Sequence, residues 1–180
     1  MRQQGFSLIE LLMGLTITGI VLSLVSPALA ALIEANHREE AANSLVAGLR
    51  SARSEAITRS QTVMIHAIDG DWSQGWRIIV DVNGKGHEDS SNPLLVERRS
   101  GTRVPIFGNQ YVRTSIRFSN LGEPLHNGFQ AGTLHVCAVR EPISQHQVVL
   151  ASNGRVSLRS QKTVQALCAG GKDSEQRADS

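Results

Sequence analysis

The run of residues from Phe6 to Ile33 contains a single charged side chain, that of Glu10. As one helix, this run would extend about 42 Å at about 1.5 Å per residue, more than the roughly 30 Å hydrocarbon core of a bilayer. The five residues before it are polar and carry one positive charge, on Arg2. The sequence therefore predicts a short polar N-terminus over residues 1–5 and a membrane-spanning helix over residues 6–33.

A secretory signal peptide is the alternative interpretation of this N-terminus. Arg2, the apolar run and Ser26-Pro-Ala-Leu-Ala30 also fit a signal with an A-x-A cleavage site. Glu10 argues against it, because a carboxylate in the middle of a membrane costs about 2.5–3.5 kcal/mol on insertion scales. A cleaved signal has no use for this side chain, whereas a membrane helix that pairs with an amine of a neighbouring chain has one.

The octapeptide Gly5-Phe6-Ser7-Leu8-Ile9-Glu10-Leu11-Leu12 resembles the class III signal of type IV prepilins and type II secretion pseudopilins. The resemblance implies that residues 1–5 are a prepilin leader peptide. A prepilin peptidase would cleave it off after Gly5 and methylate the new N-terminal residue, Phe6. The resemblance also implies that Glu10 pairs with the N-terminus of an adjacent subunit during assembly. Pro27 stands where pilins tend to carry a helix-kinking proline.

The helix is predicted to continue beyond the apolar run, over residues 34–59, in an amphipathic form. Its apolar positions recur at spacings of three and four residues, which is one stripe along a helix. Such a stripe needs a surface to cover, and a following β-sheet is the natural candidate. The stripe consists of Ala42, Leu45, Leu49, Ala52 and Ala56.

From residue 60 onward the hydrophobic period changes to two, which predicts a β-rich domain over residues 60–168 and a flexible tail over 169–180. Asn153-Gly154, flanked by apolar runs, predicts a type I′ hairpin. The fold class is therefore α+β, a long helix followed by antiparallel sheet. The predicted strands are 62–68, 76–82, 94–98, 112–119, 133–140, 147–151 and 155–159.

Four segments narrow the resemblance to the GspH/FimT family of minor pilins and pseudopilins: Ser54-Glu-Ala-Ile57, Gly75-Trp76, Asp81-Val-Asn-Gly84 and Asn153-Gly-Arg155. This resemblance implies a pilin-like fold, a single pass through the inner membrane and a periplasmic globular domain. It implies prepilin peptidase and other major and minor pilins as partners. The expected function is that of a minor type IV pilin, and the alternative is a minor pseudopilin of a type II secretion system.

The two cysteines, Cys137 and Cys168, are expected to form a disulfide if the domain is periplasmic, because that compartment is oxidising. Closing a loop of about thirty residues would stabilise the fold by roughly 3–4 kcal/mol in the chain-entropy model. The alternative is a buried free thiol and an unpaired cysteine near the C-terminus. A redox-active pair is not expected, since no C-x-x-C spacing occurs.

No catalytic or metal-binding pattern emerges from the sequence. Asp81-Val-Asn83-Gly-Lys85-Gly86 resembles the start of a calcium loop, but Lys85 stands at the fifth position and Asn92 where a bidentate glutamate belongs. His135 and Cys137 share a strand face, yet two ligands do not make a zinc site. We therefore expect no enzyme activity, no metal, no cofactor and no small-molecule substrate.

Charge is segregated along the chain. Residues 69–97 hold six acidic and two basic side chains, whereas residues 98–162 hold nine basic and two acidic ones. Alternation along the predicted strands places the arginines on solvated faces, where they would form an electropositive patch beside Lys162. The patch arginines are Arg113, Arg117, Arg155 and Arg159.

Double-stranded DNA is the candidate ligand of this patch, since arginines neutralise phosphates without regard to sequence. The resemblance supports it, because some FimT-type minor pilins bind DNA for natural transformation through a C-terminal G-R-x-R motif. Gly154-Arg155 is present here, but position 157 is serine and the next arginine is Arg159. The alternative is that these arginines keep the domain soluble or face acidic patches on neighbouring pilins.

Overall fold

The computed structural model describes residues 8–102, 104–125, 132–139 and 141–169. Its first element is one helix, α1, Leu8–Arg59, which includes most of the predicted membrane segment and the whole predicted amphipathic segment. Gly5 and Phe6, in the predicted processing site, lie outside the described residues, as does almost all of the predicted tail. The chain divides into two compact units, residues 1–36 and 37–180.

In the first unit, α1 carries exposed apolar side chains from Leu8 to Ile33. It is long and apolar enough to cross a membrane, by length and composition. The hydroxyls of Thr16, Thr18 and Ser23 donate to carbonyls of the preceding turn, so these polar groups find acceptors within the helix. Pro27 lies inside the helix, as expected from the sequence.

The second unit contains nine strands in the described residues, all paired antiparallel. The strands are β1 Val63–Ile68, β2 Asp71–Val80, β3 Leu94–Arg99, β4 Ile106–Gly108, β5 Ser115–Phe118, β6 Gly132–Cys137, β7 Ile143–Leu150, β8 Val156–Arg159 and β9 Thr163–Val164. Sheet A has the order β3-β2-β1-β5, and sheet B has the order β4-β6-β7-β8 with β9 also against β7. Two 3-10 helices accompany them, Gly86–Glu88 and Ala166–Ala169.

One hydrophobic core joins the helix of the second unit to both sheets. All five residues of the predicted stripe are buried, with at most 1% of their surface exposed, which confirms the stripe. They pack with Val63 and Ile65 of β1 and with Leu134 and Val148 of sheet B. The α+β, pilin-like fold class is confirmed.

Several predicted strand limits were wrong by more than the usual one or two residues. β2 begins at Asp71 rather than residue 76, β7 begins at Ile143 rather than residue 147, and β4 and β9 were not predicted. β2 starts early because Trp72 is buried and anchors this end of the strand. β4 and β9 are three and two residues long, too short to show a period.

The predicted strand 112–119 is shortened to β5, Ser115–Phe118. The indole N–H of Trp72 lies 3.1 Å from the carbonyl oxygen of Val112 and 2.9 Å from that of Arg113. These carbonyls therefore face the tryptophan rather than a neighbouring strand. As a consequence, Arg113 lies in the connection before β5 and does not share a strand with Arg117.

The predicted hairpin at Asn153-Gly154 forms, but its turn is not type I′. Gly154 donates to the carbonyl of Ala151 and only Gly154 has a positive φ, which describes a three-residue loop with a left-handed glycine. The signature of type I′, positive φ at two successive residues, occurs instead at Asp69-Gly70, between β1 and β2. Both loops join antiparallel strands.

Candidate functional site

Glu10 lies two residues after the first described residue of α1 and is exposed. Leu11, Leu15 and other apolar side chains on the same helix are exposed around it. A carboxylate in such surroundings is costly in a membrane unless it meets a positive partner. Its position agrees with the predicted role in subunit pairing, which is untested.

The basic residues on and beside the two sheets fall into two groups by their partners. In sheet A, the arginines pair with carboxylates: Arg77 and Arg99 with Glu97, and Arg117 with Asp81. A further arginine of β3, Arg98, lies 3.7 Å from Glu40. The charge of Arg117 is thus compensated within the fold, which separates this residue from the other predicted patch residues.

The remaining four predicted patch residues have no carboxylate partner among the described residues. Arg155 immediately precedes β8, Arg159 ends that strand, and Lys162 follows it before β9. All three are exposed and belong to the edge region of sheet B. Arg113 is also exposed, in the connection before β5. Three of these four uncompensated charges, on Arg155, Arg159 and Lys162, therefore lie at the edge of sheet B.

In the predicted calcium-like loop, side-chain oxygens that could have bound a metal accept hydrogen bonds from the loop's own backbone. Asp81 Oδ1 accepts from the backbone N–H of Gly86 at 2.9 Å, and Asn83 Oδ1 accepts from that of Lys85 at 3.0 Å. Asn92 accepts from the N–H of Val82 and donates to the carbonyl of Gly86 at 2.7 Å. These oxygens complete a turn, and within the described ranges no three His, Cys, Asp or Glu side chains cluster as a metal site.

This loop lies against the face of sheet A that points away from the core. Val63, Ile65 and Ala67 belong to the core, so Met64 and His66 lie on the other face of β1. The ring of His87 stacks on that of His66 with centroids 5.0 Å apart. Burial lowers the pKa of His66, and the positive charges of His87 and Arg77 lower it further, against an opposing hydrogen bond to the Ala67 carbonyl.

Cys137 and Cys168 form a disulfide, as expected, with their Cα atoms 5.6 Å apart. The bond links the end of β6 to the 3-10 helix Ala166–Ala169. A buried polar network accompanies it. Gln147 on β7 donates to the Gln161 carbonyl at 2.8 Å and to Ser144 Oγ at 2.8 Å. The C-terminal segment is therefore attached to sheet B twice, covalently and by hydrogen bonds.

His135 belongs to the same network and its tautomer follows from its partners. Ser144 Oγ donates to the carbonyl of His146, so it accepts from Nδ1–H of His135 at 3.1 Å. Nε2 of His135 then accepts from the amide of Gln165, also at 3.1 Å. Burial lowers the pKa of His135, which agrees with a neutral ring.

Sequence reasoning missed two arginines of α1 that the fold brings beside Arg155. Arg50 and Arg53 line a concavity of about 360 Å³ together with Arg155 and the backbone of the β7–β8 loop. Arg53 donates to the carbonyls of Gly122 and Asn153, at 2.9 and 3.2 Å. The sequence feature that could have indicated these two arginines is their three-residue spacing. It places them on one side of the helix, next to the apolar stripe.

Comparisons with known proteins agree with this fold. A family model described as Type II transport protein GspH matches residues 41–174, and a model of the prokaryotic N-terminal methylation motif matches residues 1–26. Two crystal structures of the Pseudomonas aeruginosa (strain PAO1) type IV minor pilin FimU share the fold. One has a TM-score of 0.59 at 24% identity, covering 75% of this chain and 97% of that one. The other has a TM-score of 0.57 at 23% identity, covering 72% and 98%. No curated protein sequence matches the chain.

Proposed function

The chain belongs to the GspH family of pilin-like proteins, and from this membership we propose that it is a minor subunit of a type IV pilus. The family and the methylation motif imply a prepilin peptidase and other pilins as its partners. In this proposal the peptidase cleaves after Gly5 and methylates Phe6. The new N-terminal amine of one subunit then pairs with Glu10 of another.

The observation that carries the proposal is the exposed apolar first half of α1 with one carboxylate near its start. A helix of this kind needs lipid or other apolar helices around it. The methylation motif over residues 1–26 supports the second environment, a bundle of like helices in a filament. Before assembly, residues 6–33 would hold the subunit in the inner membrane.

The proposal places the globular unit in the periplasm before assembly. The disulfide between Cys137 and Cys168 supports this location, because such bonds persist in oxidising compartments. The processed subunit would afterwards form part of a filament, at its tip or in the complex that starts its growth.

The test is a deletion strain complemented with the full-length chain. We expect deletion to reduce the number of surface pili and twitching motility, and complementation to restore both. Normal pili together with loss of protein export into the medium would contradict the type IV pilus and favour a type II secretion pseudopilus. The complemented strain controls for effects on neighbouring genes.

We further propose that the subunit binds double-stranded DNA through Arg155, Arg159 and Lys162, with Arg113 contributing. The supporting observation is their exposure without a carboxylate partner among the described residues, in contrast to the paired arginines of sheet A. Each phosphate contact should release counterions, so that the affinity falls with added salt.

The DNA test uses the full-length chain in a neutral detergent and a fluorescent DNA duplex at two salt concentrations. We expect binding that weakens with salt and is lost when Arg155 and Arg159 are both changed to Gln. Arg99→Gln is the matched control, because Arg99 is exposed but paired with Glu97 on β3. Absence of wild-type binding at low salt would contradict this part of the proposal and leave the assembly role unaffected.

A further inference from the structure

We propose that Arg50 and Arg53 of α1 and Arg155 of the β7–β8 loop together form a phosphate-binding concavity, occupied by the backbone phosphates of a nucleic acid. The inference rests on the proposed DNA binding and extends it to a helix face that the sequence did not indicate. The concavity has a volume of about 360 Å³. Its remaining lining residues are Ser54, Ile57, Gly154 and Val156.

The charge of this concavity is positive and uncompensated. Three of its seven lining residues are arginines, and none is acidic. None of the three arginines forms an ion pair with a described residue, whereas the next arginine along α1, Arg59, lies 2.6 Å from Glu55. The hydrogen-bond acceptors that Arg50 and Arg53 do have are backbone carbonyls, which are neutral and leave the guanidinium charge in place.

The helix arginines also have donors to spare. A guanidinium carries five N–H groups. Arg50 uses one of them, from Nη2 to the carbonyl of Val156 at 3.2 Å, and Arg53 uses two, to Gly122 and Asn153. The remaining donors are available to an anion, and planar forks of this kind match the oxygens of a phosphate.

The same carbonyl contacts hold the concavity in shape. They attach α1 to Asn153 in the β7–β8 loop and to Val156, the first residue of β8, on either side of Arg155. Gly154 has a φ of +77°, and a Cβ atom there would lie 2.2 Å from the carbonyl oxygen of Gly122. The same Cβ atom would lie 2.8 Å from Nε of Arg53, so the close approach of the loop to Gly122 and to Arg53 of α1 requires glycine here. Side chains held in this way lose less conformational freedom when an anion binds.

The test measures binding of the full-length chain, in neutral detergent, to a DNA duplex of mixed sequence across a range of salt. We expect Arg50→Gln to weaken binding several-fold. It should also make the negative slope of log affinity against log salt less steep by about one, the share of one phosphate contact. Arg50→Lys keeps the charge and should keep most of the slope. Arg99→Gln, which removes an equal charge from β3, should change neither quantity.

The outcomes separate this inference from the proposal on which it rests. If Arg50→Gln behaves as Arg99→Gln while the Arg155/Arg159 double variant abolishes binding, the concavity is overturned and DNA binding stands. If the wild-type chain binds no DNA, both are overturned. Inorganic phosphate and vesicles of phosphatidylglycerol serve as further probes. Binding to these vesicles that depends on Arg50, without binding to DNA, would assign the site to lipid headgroups and overturn the nucleic-acid occupant.

The variants must be folded for these outcomes to count. Arg50 makes one carbonyl contact and Arg53 makes two, so Arg50 is the substitution that disturbs the fold least. The fluorescence of the buried Trp72 and Trp76 reports the state of the second unit in each variant. An Arg50→Gln chain with the wild-type spectrum and unfolding midpoint but weakened DNA binding supports a direct contact.

Discussion

Asp81 has a side chain without solvent exposure, and its charge is matched by Arg117, whose Nε lies 3.1 Å from Oδ2. The two atoms form an ion pair whose alignment does not make it a hydrogen bond, and Oδ2 accepts no hydrogen bond from the residues that the structure describes. Oδ1, in contrast, accepts from Gly86. Arg117 therefore stabilises a buried carboxylate at the base of the loop over sheet A, which explains why it is not part of the uncompensated positive surface.

Replacing Arg117 by Gln should lower the free energy of unfolding by about 2–3 kcal/mol, because a buried carboxylate then lacks a positive partner. Arg113→Gln, a substitution of the same kind at an exposed site, should stay within about 0.5 kcal/mol of wild type. Urea unfolding of the full-length chain, followed by tryptophan fluorescence, measures both. Equal stability of the two variants would show that the Asp81 pair does not hold the loop.

His66 makes stability depend on pH. Burial lowers its pKa in the fold, whereas the unfolded chain has the ordinary value of about 6.5. Below about pH 6.5 the unfolded state binds more protons than the folded state. The free energy of unfolding therefore decreases as the pH is lowered, until the pH has passed below the folded pKa. His135 and His146 act in the same direction, because burial lowers the pKa of each.

We therefore expect the urea midpoint to decrease between about pH 7 and pH 5. His66→Gln should make this decrease smaller without removing it, since two other histidines contribute. His37→Gln, at a residue outside this group, is the comparison. A pH dependence unchanged by His66→Gln would mean that His66 is solvated in the folded chain.

At the scale of elements, the C-terminal segment depends on its disulfide. Cys137 and Cys168 are 31 residues apart, so the bond should contribute about 3–4 kcal/mol in the chain-entropy model. The double variant Cys137→Ser/Cys168→Ser should unfold at a correspondingly lower urea concentration, and reduction of the wild-type chain should have the same effect. A reductant should leave the double variant unchanged. Identical midpoints for oxidised and reduced wild type would contradict this contribution.

The sequence predicted those elements whose pattern is long enough to repeat. The stripe from Ala42 to Ala56 extends over four turns, and all of it is buried as expected. β4 and β9 could not be predicted, because three and two residues carry no period. The late start of β5 depends on Trp72, which lies far away in the sequence and reaches the carbonyls of Val112 and Arg113.

The binding surface was predictable only in part, for the same reason. Arg155 and Arg159 stand out in the sequence because they alternate with apolar strand residues. Asp81, which compensates the charge of Arg117, lies 36 positions before it in the sequence. Val156, whose carbonyl accepts from Arg50, lies 106 positions after that arginine. Contacts of this kind arise from the packing of α1 and the two sheets, which no local pattern specifies.

At the scale of the whole molecule, Glu10 should matter for assembly and not for processing. Glu10→Ala removes the carboxylate proposed to meet the N-terminal amine of a neighbouring subunit, while Gly5 and Phe6 are retained. We expect normal cleavage and a clear loss of the subunit from sheared filaments, measured by immunoblot of membrane and filament fractions. Glu34→Ala, on the same helix beyond the apolar run, should assemble normally. Full incorporation of Glu10→Ala would remove the pairing role.

The central claim is that this chain is a processed pilin subunit, and the mass of its N-terminal peptide in purified filaments tests it most directly. The account predicts a subunit in the filament fraction that begins at N-methylated Phe6. A mature N-terminus at Ala31 in the soluble fraction, with no subunit in filaments, would contradict it and identify a secreted protein.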